Sequence, residues 1–138
     1  MAEQTKFHLD VVSATRQLIS ERVDEITAPG REGEFGVLPG HTPFLTALGV
    51  GELMYKIGSE ERFLAVRNGF AEIQHEKVTI LAEEAEFPSE INLKAAEALK
   101  AEAEAQLQHL SQESKEYLEA QAKLERAVNQ IHVGNLRR

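Results

Sequence analysis

The side chains that could carry chemistry in this 138-residue chain show none of the spacings typical of catalysis or metal binding. The five histidines form no i,i+4 pair and no HExxH pattern, and the chain has no Cys. There is no GxSxG nucleophile elbow, no P-loop and no GxGxxG fingerprint. Carboxylate pairs such as Glu60-Glu61 and Glu83-Glu84 are common in so acidic a chain, and we expect them on solvated faces. We therefore predict no catalytic residue, no cofactor-binding residue and no metal ligand.

A loop rich in glycine and proline is the strongest candidate for a binding surface. Three Gly and two Pro fall within residues 31–47, which also carry Glu32, Glu34 and His41. Rigid polar loops often bind partners. Turns that merely join strands have the same composition, so the residues alone leave both interpretations open.

Charge and hydropathy exclude two classes of protein. The chain has 15 Lys and Arg against 23 Asp and Glu, a formal charge of -8, which opposes the phosphate neutralisation on which nucleic-acid binding depends. Its longest apolar stretches are far shorter than the roughly 20 residues of a membrane-spanning helix. The first ten residues have no pattern of a secretion or import signal. We expect neither nucleic-acid binding nor a membrane span.

The first half of the chain has the pattern of short strands separated by turns. Apolar residues alternate along residues 7–11 and 51–57, which is the period of a half-buried strand. Tight turns are predicted at Gly58-Ser59, Asn68-Gly69 and His75-Glu76. About eight to ten strands spaced in this way favour an antiparallel sandwich or barrel over a βαβ fold.

The second half is typical of helices. No Gly or Pro occurs from Ser89 to Val133, and Ala, Glu, Lys, Leu and Gln dominate. We predict Ser89 as the first N-cap and two helices of about five turns each. The polar residues 110–114 suit a reversal into an antiparallel hairpin, although a single long helix fits the same residues. The chain thus divides into residues 1–87 and 88–138.

The predicted helix seam is rich in alanine, so each contact buries little apolar surface. At roughly 25 cal/mol per Å², such a hairpin docks onto the sandwich only weakly. Both a fixed helical lid and a mobile arm agree with this estimate. The alanines concerned are Ala95, Ala96, Ala98, Ala101 and Ala103.

Several segments together closely resemble the ε subunits of bacterial F-type ATP synthases. These segments are Phe7-His-Leu-Asp-Val-Val-Ser13, Glu32-Gly-Glu-Phe-Gly-Val-Leu-Pro-Gly-His41, Pro43-Phe-Leu-Thr-Ala47, Asn68-Gly-Phe-Ala-Glu-Ile73 and Val78-Thr-Ile-Leu-Ala82. The resemblance implies an α+β chain in which a ten-stranded antiparallel β-sandwich precedes a two-helix antiparallel hairpin. It also implies a non-catalytic rotor subunit of the central stalk, which couples proton translocation through the c-ring to ATP synthesis in the α3β3 head.

The resemblance also implies partners for each half. The sandwich would bind the γ subunit and the c-ring of Fo, and the hairpin would regulate the α and β subunits by inhibiting ATP hydrolysis. The implied c-ring contact loop contains Glu32, Glu34, Pro39, Gly40 and His41. The implied inhibitory contacts are Lys115, Lys123, Arg126, Arg137 and Arg138. The chain would then lie peripherally on the cytoplasmic side of a bacterial inner membrane, held there by the complex.

Some members of that family bind ATP through an Ile/Leu-Asp-x-x-Arg-Ala pattern. The matching stretch here is Ile91-Asn-Leu-Lys-Ala-Ala96, with Asn92 in place of the Asp and Ala95 in place of the Arg. Without that arginine the phosphate clamp is lost, so we predict weak or absent ATP binding. An ATP-sensing module and a small carboxylate-dependent hydrolase remain as alternative functions, which the missing arginine and the missing nucleophile argue against.

Overall fold

The structure is a computed structural model that describes residues 6–136. Seven strands come first along the chain, followed by one turn of 3-10 helix and two α-helices. The strands are β1 (Phe7–Val12), β2 (Gln17–Val23), β3 (Glu25–Gly30), β4 (Gly33–Val37), β5 (Phe44–Ile57), β6 (Glu60–Ile73) and β7 (Lys77–Glu86). The helices are the 3-10 helix Pro88–Glu90, α1 (Leu93–His109) and α2 (Lys115–Gly134).

The seven strands form one hydrogen-bonded sheet in the order β2-β1-β7-β6-β5-β3-β4. All neighbours are antiparallel except β1 and β7, which are parallel. The prediction of ten antiparallel strands is therefore wrong for the described residues: they form seven strands, and the pair β1 and β7 is parallel. Strands β5 and β6 pair without a break from Phe44 opposite Ile73 to Ile57 opposite Glu60, so segments predicted as separate strands are continuous.

Two of the three predicted turns are confirmed, and the third is wrong. Gly58, with a φ of 64°, closes the β5–β6 hairpin, and the Gln74 N–H donates to the Lys77 carbonyl across the predicted reversal at His75-Glu76. Asn68 and Gly69 are no turn but lie inside β6, where both have positive φ. A Cβ at Gly69 would overlap the carbonyl oxygen of Leu81 on β7. The pair was correctly associated with positive φ, but that preference does not distinguish a turn from a sharply twisted strand.

One apolar core joins the two ends of the sheet. The predicted alternation is confirmed in β1, where Phe7, Leu9 and Val11 are fully buried, and in β5, where Leu53 is fully buried. The Asp24 N–H, just after β2, donates to the Lys56 carbonyl near the end of β5 at 2.8 Å. This bond shows that the end of β2 lies beside β5, so the sheet is folded over into a sandwich whose two layers share one core.

The two helices form the predicted hairpin, and the single long helix is excluded. Ser114 caps α2 by accepting the Tyr117 N–H at 3.1 Å, and α1 begins after Asn92, whose side chain accepts the Ala95 N–H at 3.0 Å. The prediction of Ser89 as the first cap is wrong, because Pro88 starts a separate turn of 3-10 helix that contains Ser89.

Alanines fill the seam between the helices, but only in part those that were predicted. Ala96 and Ala103 are buried, whereas Ala95, Ala98 and Ala101 are exposed. Ala120 and Ala127 supply the seam from α2. Small side chains at this spacing bring two helices close together while burying little apolar area.

Candidate functional site

The side chains of His8, Asp10 and Ser20 meet on the sandwich but do not form a catalytic triad. His8 Nε2 lies 3.0 Å from Asp10 Oδ1 and 3.0 Å from Ser20 Oγ, so one ring nitrogen faces both partners. A triad needs one nitrogen for the carboxylate and the other for the hydroxyl. Within residues 6–136 no three His, Asp or Glu side chains form a group that could hold a metal ion.

The predicted c-ring contact residues lie in two consecutive segments. Glu32 is in the β3–β4 turn and Glu34 is on β4, and both are exposed without an ion pair to any described side chain. Pro39, Gly40 and His41 lie in the loop between β4 and β5, where Gly40 has a φ of 79°. The acidic pair is free to meet a basic partner.

His41 is turned inward rather than toward a partner. Its ring meets the buried Phe7 ring edge to face, with 5.2 Å between centroids. Both ring nitrogens are buried and have no hydrogen-bond partner among the described residues. Burial lowers the pKa of His41 below its ordinary 6.5, and the neighbouring His75 acts in the same direction. The ring is therefore neutral near pH 7 and anchors the loop through an apolar contact.

An exposed apolar patch that was not predicted from the sequence lies on the outer face of the sandwich and is formed by Leu45, Phe70 and Leu81. These side chains are 68%, 54% and 50% exposed. Phe70 lies directly opposite Leu81 across β6 and β7, and Leu45 is its diagonal neighbour on β5. Unbroken apolar runs in β5 and β7, where alternation would be expected of a solvated face, were the available signal.

The hairpin docks on the sandwich through α2, and a charged cluster is central to the contact. Arg126 donates two hydrogen bonds to Glu84, from Nε to Oε1 at 2.7 Å and from Nη2 to Oε2 at 2.8 Å. Glu84 also accepts from Arg67 at 3.2 Å. Arg126, with help from Arg67, holds the pKa of Glu84 below its ordinary value of 4.5 despite partial burial. The expectation of a solvated face holds for the exposed Glu83 but is wrong for Glu84.

Three more polar side chains of α2 reach the sandwich. Asn129 donates to the Gly51 carbonyl at 3.0 Å, Gln130 donates to Glu86 at 2.7 Å, and His132 Nε2 lies 2.7 Å from a Glu52 carboxylate oxygen. The apolar part of the contact is a small cluster of Ala65, Ile91 and Val133, with Leu93 packed against it. The apolar contact between hairpin and sandwich is small, as predicted. A set of polar contacts from α2, which the local spacing of residues did not reveal, accompanies it.

The predicted inhibitory residues do not come together in this state. Lys115 is exposed at the start of α2, while Lys123 contacts Gln106 at 3.2 Å and Glu102 at 3.4 Å on α1. Arg126 is held by Glu84. The remaining two, Arg137 and Arg138, lie outside the described residues. Lys123 and Arg126 are thus both paired with side chains of this chain.

The stretch that corresponds to an ATP-binding pattern has a structural task here. Asn92 caps α1, and Ala95, which replaces the arginine, is exposed. The guanidinium of Arg16, beside this stretch, is held by both carboxylate oxygens of Glu90 at 2.8 and 2.6 Å. No described residue of this stretch can act as a bidentate phosphate ligand.

Comparison with protein families covers nearly the whole chain. Residues 6–88 match the family described as the β-sandwich domain of the ATP synthase delta/epsilon chain, and residues 89–135 match its long α-helix domain. The chain is 50% identical to the ATP synthase epsilon chain of Geobacter metallireducens over 96% of this chain and 95% of that one. It is 48% identical to the epsilon chain of Geobacter sulfurreducens over the same shares.

Solved structures give the same result for the fold. A chain of the Euglena gracilis mitochondrial ATP synthase, in a structure of OSCP, F1 and c-ring, matches with a TM-score of 0.80 and 26% identity, over 91% of this chain and 79% of that one. A chain of the Tetrahymena thermophila mitochondrial ATP synthase, in a structure of central stalk and c-ring, matches with a TM-score of 0.66 and 15% identity. That match covers 96% of this chain and 99% of the other. No helix within residues 6–136 is long and apolar enough to cross a membrane.

Proposed function

Because the chain belongs to the ATP synthase delta/epsilon family, we propose that its sandwich couples the c-ring to the γ subunit and that its hairpin regulates the enzyme. As an epsilon subunit of the central stalk of an F-type ATP synthase, it is a non-catalytic component of ATP synthesis. In this proposal residues 1–87 transmit torque and residues 88–138 form the regulatory unit. The complex holds the chain peripherally at the cytoplasmic side of a bacterial inner membrane.

The observation that carries the coupling function is the apolar patch of Leu45, Phe70 and Leu81. Large apolar side chains gathered on one outer face of a sheet mark a protein interface, since the core already has its own side chains. A rotor subunit must transmit torque without slipping, which a broad apolar contact with complementary shape allows. We assign this patch to the γ subunit.

The second contact of the coupling function is to the c-ring. It is formed by Glu32 and Glu34 together with the Pro39–His41 loop that follows them in the chain. Exposed carboxylates can pair with basic groups on loops of the ring, although each such pair contributes only about 0–1 kcal/mol. The anchored ring of His41 keeps the loop in place under load. In membranes that carry the complex, Glu32→Gln/Glu34→Gln should reduce ATP-driven proton pumping more than ATP hydrolysis, whereas equal loss of both would contradict this contact.

Binding to γ tests the coupling function directly. Phe70→Ser/Leu81→Ser removes two side chains that face away from the core, so the circular dichroism and unfolding midpoint should be retained. We expect the double variant to bind a reconstituted α3β3γ complex at least about tenfold more weakly than the unchanged chain. A tenfold loss corresponds to about 1.4 kcal/mol. Leu118→Ser is the matched control, because Leu118 is comparably exposed but lies on α2. Unchanged binding by the patch variant would reject the assignment.

A specific observation also favours the regulatory function. Lys123 and Arg126, basic residues suited to acidic surfaces of the β subunit, are paired within the docked chain. Release of the hairpin from the sandwich would free Arg126, and separation of α2 from α1 would free Lys123, so the docked hairpin and inhibition through both residues exclude each other. The three glutamates of the same helix balance its three basic residues, so α2 as a whole has no net charge; they are Glu116, Glu119 and Glu125.

ATP hydrolysis by the reconstituted α3β3γ complex tests the regulatory function. We expect the full chain to inhibit and a chain that ends at Pro88 to bind without inhibiting. Equal hydrolysis with both chains, at equal binding, would leave the hairpin without a regulatory task. The alternative of ATP sensing is tested separately by calorimetry, where a micromolar dissociation constant for the isolated chain would favour it over the weak binding we predict.

A further inference from the structure

The loop between β4 and β5 is attached to the sandwich by a side chain rather than by its backbone. Within the part of the chain that the structure describes, no backbone–backbone hydrogen bond involves residues 38–43. Most of these residues are exposed, and Gly40 has a φ of 79°. The loop reaches the core through the His41 ring, which meets the fully buried Phe7 ring edge to face. The position of the loop therefore depends on this ring.

The place that the ring occupies suits only its neutral form. Both nitrogens of His41 are buried and have no hydrogen-bond partner among the described residues. An imidazolium would bring two donors and a positive charge into the same apolar contact, and an unpaired charge is much less favourable there than an unpaired neutral group. For this reason burial lowers the pKa of His41 below its ordinary 6.5. Protonation of the ring and its contact with Phe7 therefore compete.

The groups around the ring give a charged His41 no anionic partner. In the β6–β7 turn, His75 acts on His41 as a like charge and disfavours its protonation. No carboxylate of residues 6–136 forms an ion pair with the ring. The other charged or titratable side chains beside Phe7 and His75 are exposed or face partners elsewhere; they are Lys6, His8, Glu76 and Lys77. A protonated ring can be satisfied only by water.

We propose that His41 is a proton-sensitive anchor of the β4–β5 loop: the neutral ring holds the loop against Phe7, and the protonated ring turns out to water and releases it. This inference rests on the c-ring contact proposed above, to which residues 39–41 belong. Coupling to the c-ring then weakens as the cytoplasmic pH falls below 6.5, while the apolar patch keeps the chain on γ. His41 is a positioning residue, because its ring faces inward and acts through the loop.

Histidine NMR of the complete isolated chain tests the anchor without any assay of function. The pH is lowered from about 8 to about 5, which spans the range in which histidines titrate. The His41 ring should titrate below 6.5, and its nuclear Overhauser contacts with the Phe7 ring should disappear over the same range. His41→Phe identifies its resonances among those of the five histidines. A ring that becomes protonated and keeps its contacts with Phe7 would overturn the inference.

His75→Gln provides a second variant, at an exposed position in a turn. Without the like charge of His75, His41 should take up its proton at a higher pH, so its titration and the loss of the Phe7 contact should both shift upward. His109→Gln, exposed at the end of α1, is the matched control and should shift neither. If the titration shifts and the loss of contact does not, protonation does not release the ring and the inference is wrong.

Coupling is measured in inverted membrane vesicles that carry the complex, where the medium sets the pH on the cytoplasmic side. The ratio of ATP-driven proton pumping to ATP hydrolysis is measured at about pH 7.5 and about pH 5.5, and each complex is compared with its own ratio at the higher pH. With the unchanged chain the ratio should fall at least about twofold further than with His41→Phe, whose ring takes up no proton. The same fall in both complexes would overturn the inference.

The two measurements separate this inference from the proposed function. If Glu32→Gln/Glu34→Gln reduces pumping and hydrolysis equally, the c-ring contact is rejected and the vesicle ratio no longer reports on the loop. The NMR titration then decides the anchor by itself. If that contact stands and the NMR titration shows His41 protonated in place, the c-ring function is retained and the anchor is rejected.

Discussion

The sandwich and the hairpin are stabilised by different kinds of side chain. In the sandwich, large apolar residues such as Phe7, Leu53 and Leu64 are fully buried in a single core. In the hairpin, alanines form the seam, and most contacts of α2 with the sandwich are polar. A buried leucine contributes about 1.5–3 kcal/mol, whereas a partly exposed ion pair contributes about 1 kcal/mol at most.

The difference supports the proposal that the sandwich is a rigid part of the chain and the hairpin a movable one. Water replaces the partners of exposed polar groups at small cost, so α2 can leave the sandwich without exposing a large apolar surface. The same exchange is impossible in the sandwich, where separation of the strands would expose the whole core.

Leu53→Ala in the sandwich should have the largest effect. The side chain is fully buried on β5, so its loss should lower the free energy of unfolding by about 2–5 kcal/mol. Urea denaturation followed by circular dichroism measures the change. Leu118→Ala, on the exposed face of α2, is the control and should change the same quantity by less than about 0.5 kcal/mol. Equal effects of the two changes would contradict the comparison.

Ala103→Leu tests the small-residue seam of the hairpin. Ala103 is fully buried between α1 and α2, so a larger side chain should force the helices apart at a cost of about 1–3 kcal/mol. Hydrogen exchange should accelerate in both helices and stay unchanged in β1 and β7. Ala101→Leu, two residues away on the exposed side of α1, serves as the control. Slower exchange in the Ala103 variant would mean that the seam has unfilled space.

Arg126→Gln tests the polar docking face. Because Glu84 loses its bidentate partner, docking should weaken by about 1 kcal/mol, which hydrogen exchange in the second half of α2 would report. Arg126 lowers the pKa of Glu84, so its contribution is complete above pH 4.5 and is lost as the pH falls below that value. The control is Lys115→Gln, at an exposed position of the same helix. A change in the unfolding of the sandwich itself would contradict the separation of the two parts.

His41→Phe should have the smallest effect, which is on the pH dependence of the stability of the sandwich. Because burial lowers the pKa of His41, the unfolded chain binds more protons than the folded chain just below pH 6.5. The sandwich should therefore lose stability as the pH falls through 6.5, seen as a lower urea midpoint at a pH about one unit below it. His41→Phe should remove this dependence, and His109→Phe, at an exposed position, should retain it. A His41 ring that titrates above 6.5 by NMR would show the opposite sign.

Local sequence patterns predicted the elements better than their contacts. Period-two alternation placed β1 and the second half of β5, and side chains with high helix propensity placed α1 and α2. The same patterns failed at Asn68-Gly69, where positive φ occurs within a strand, and at Ser89, where the cap lies three residues later at Asn92. In both cases the local preference was real, but tertiary or neighbouring context overrode it: the surrounding sheet at Asn68-Gly69 and the preceding Pro88 at Ser89.

For the candidate site, the sequence predicted several exposed residues but not the contacts within the chain. The resemblance supplied Glu32, Glu34 and Lys115, which the structure leaves exposed. It gave no indication that His41 packs inward on Phe7 or that Arg126 is held by Glu84, 42 residues away. The unbroken apolar run of β7 indicated an apolar outer face, but it did not show which of its residues, Leu81 among them, are exposed there.

The sequence by itself determined the strand character of the first half, the helical character of the second half, the change between them at Pro88 and the family to which the chain belongs. Each of these follows from neighbouring residues, whose backbone preferences and side-chain period act over a few positions. Only the tertiary structure decided the parallel pairing of β1 with β7, the exposed patch and the clamp of Arg16 on Glu90. Such contacts join distant parts of the chain, and they form only when burial of a common core brings those parts together.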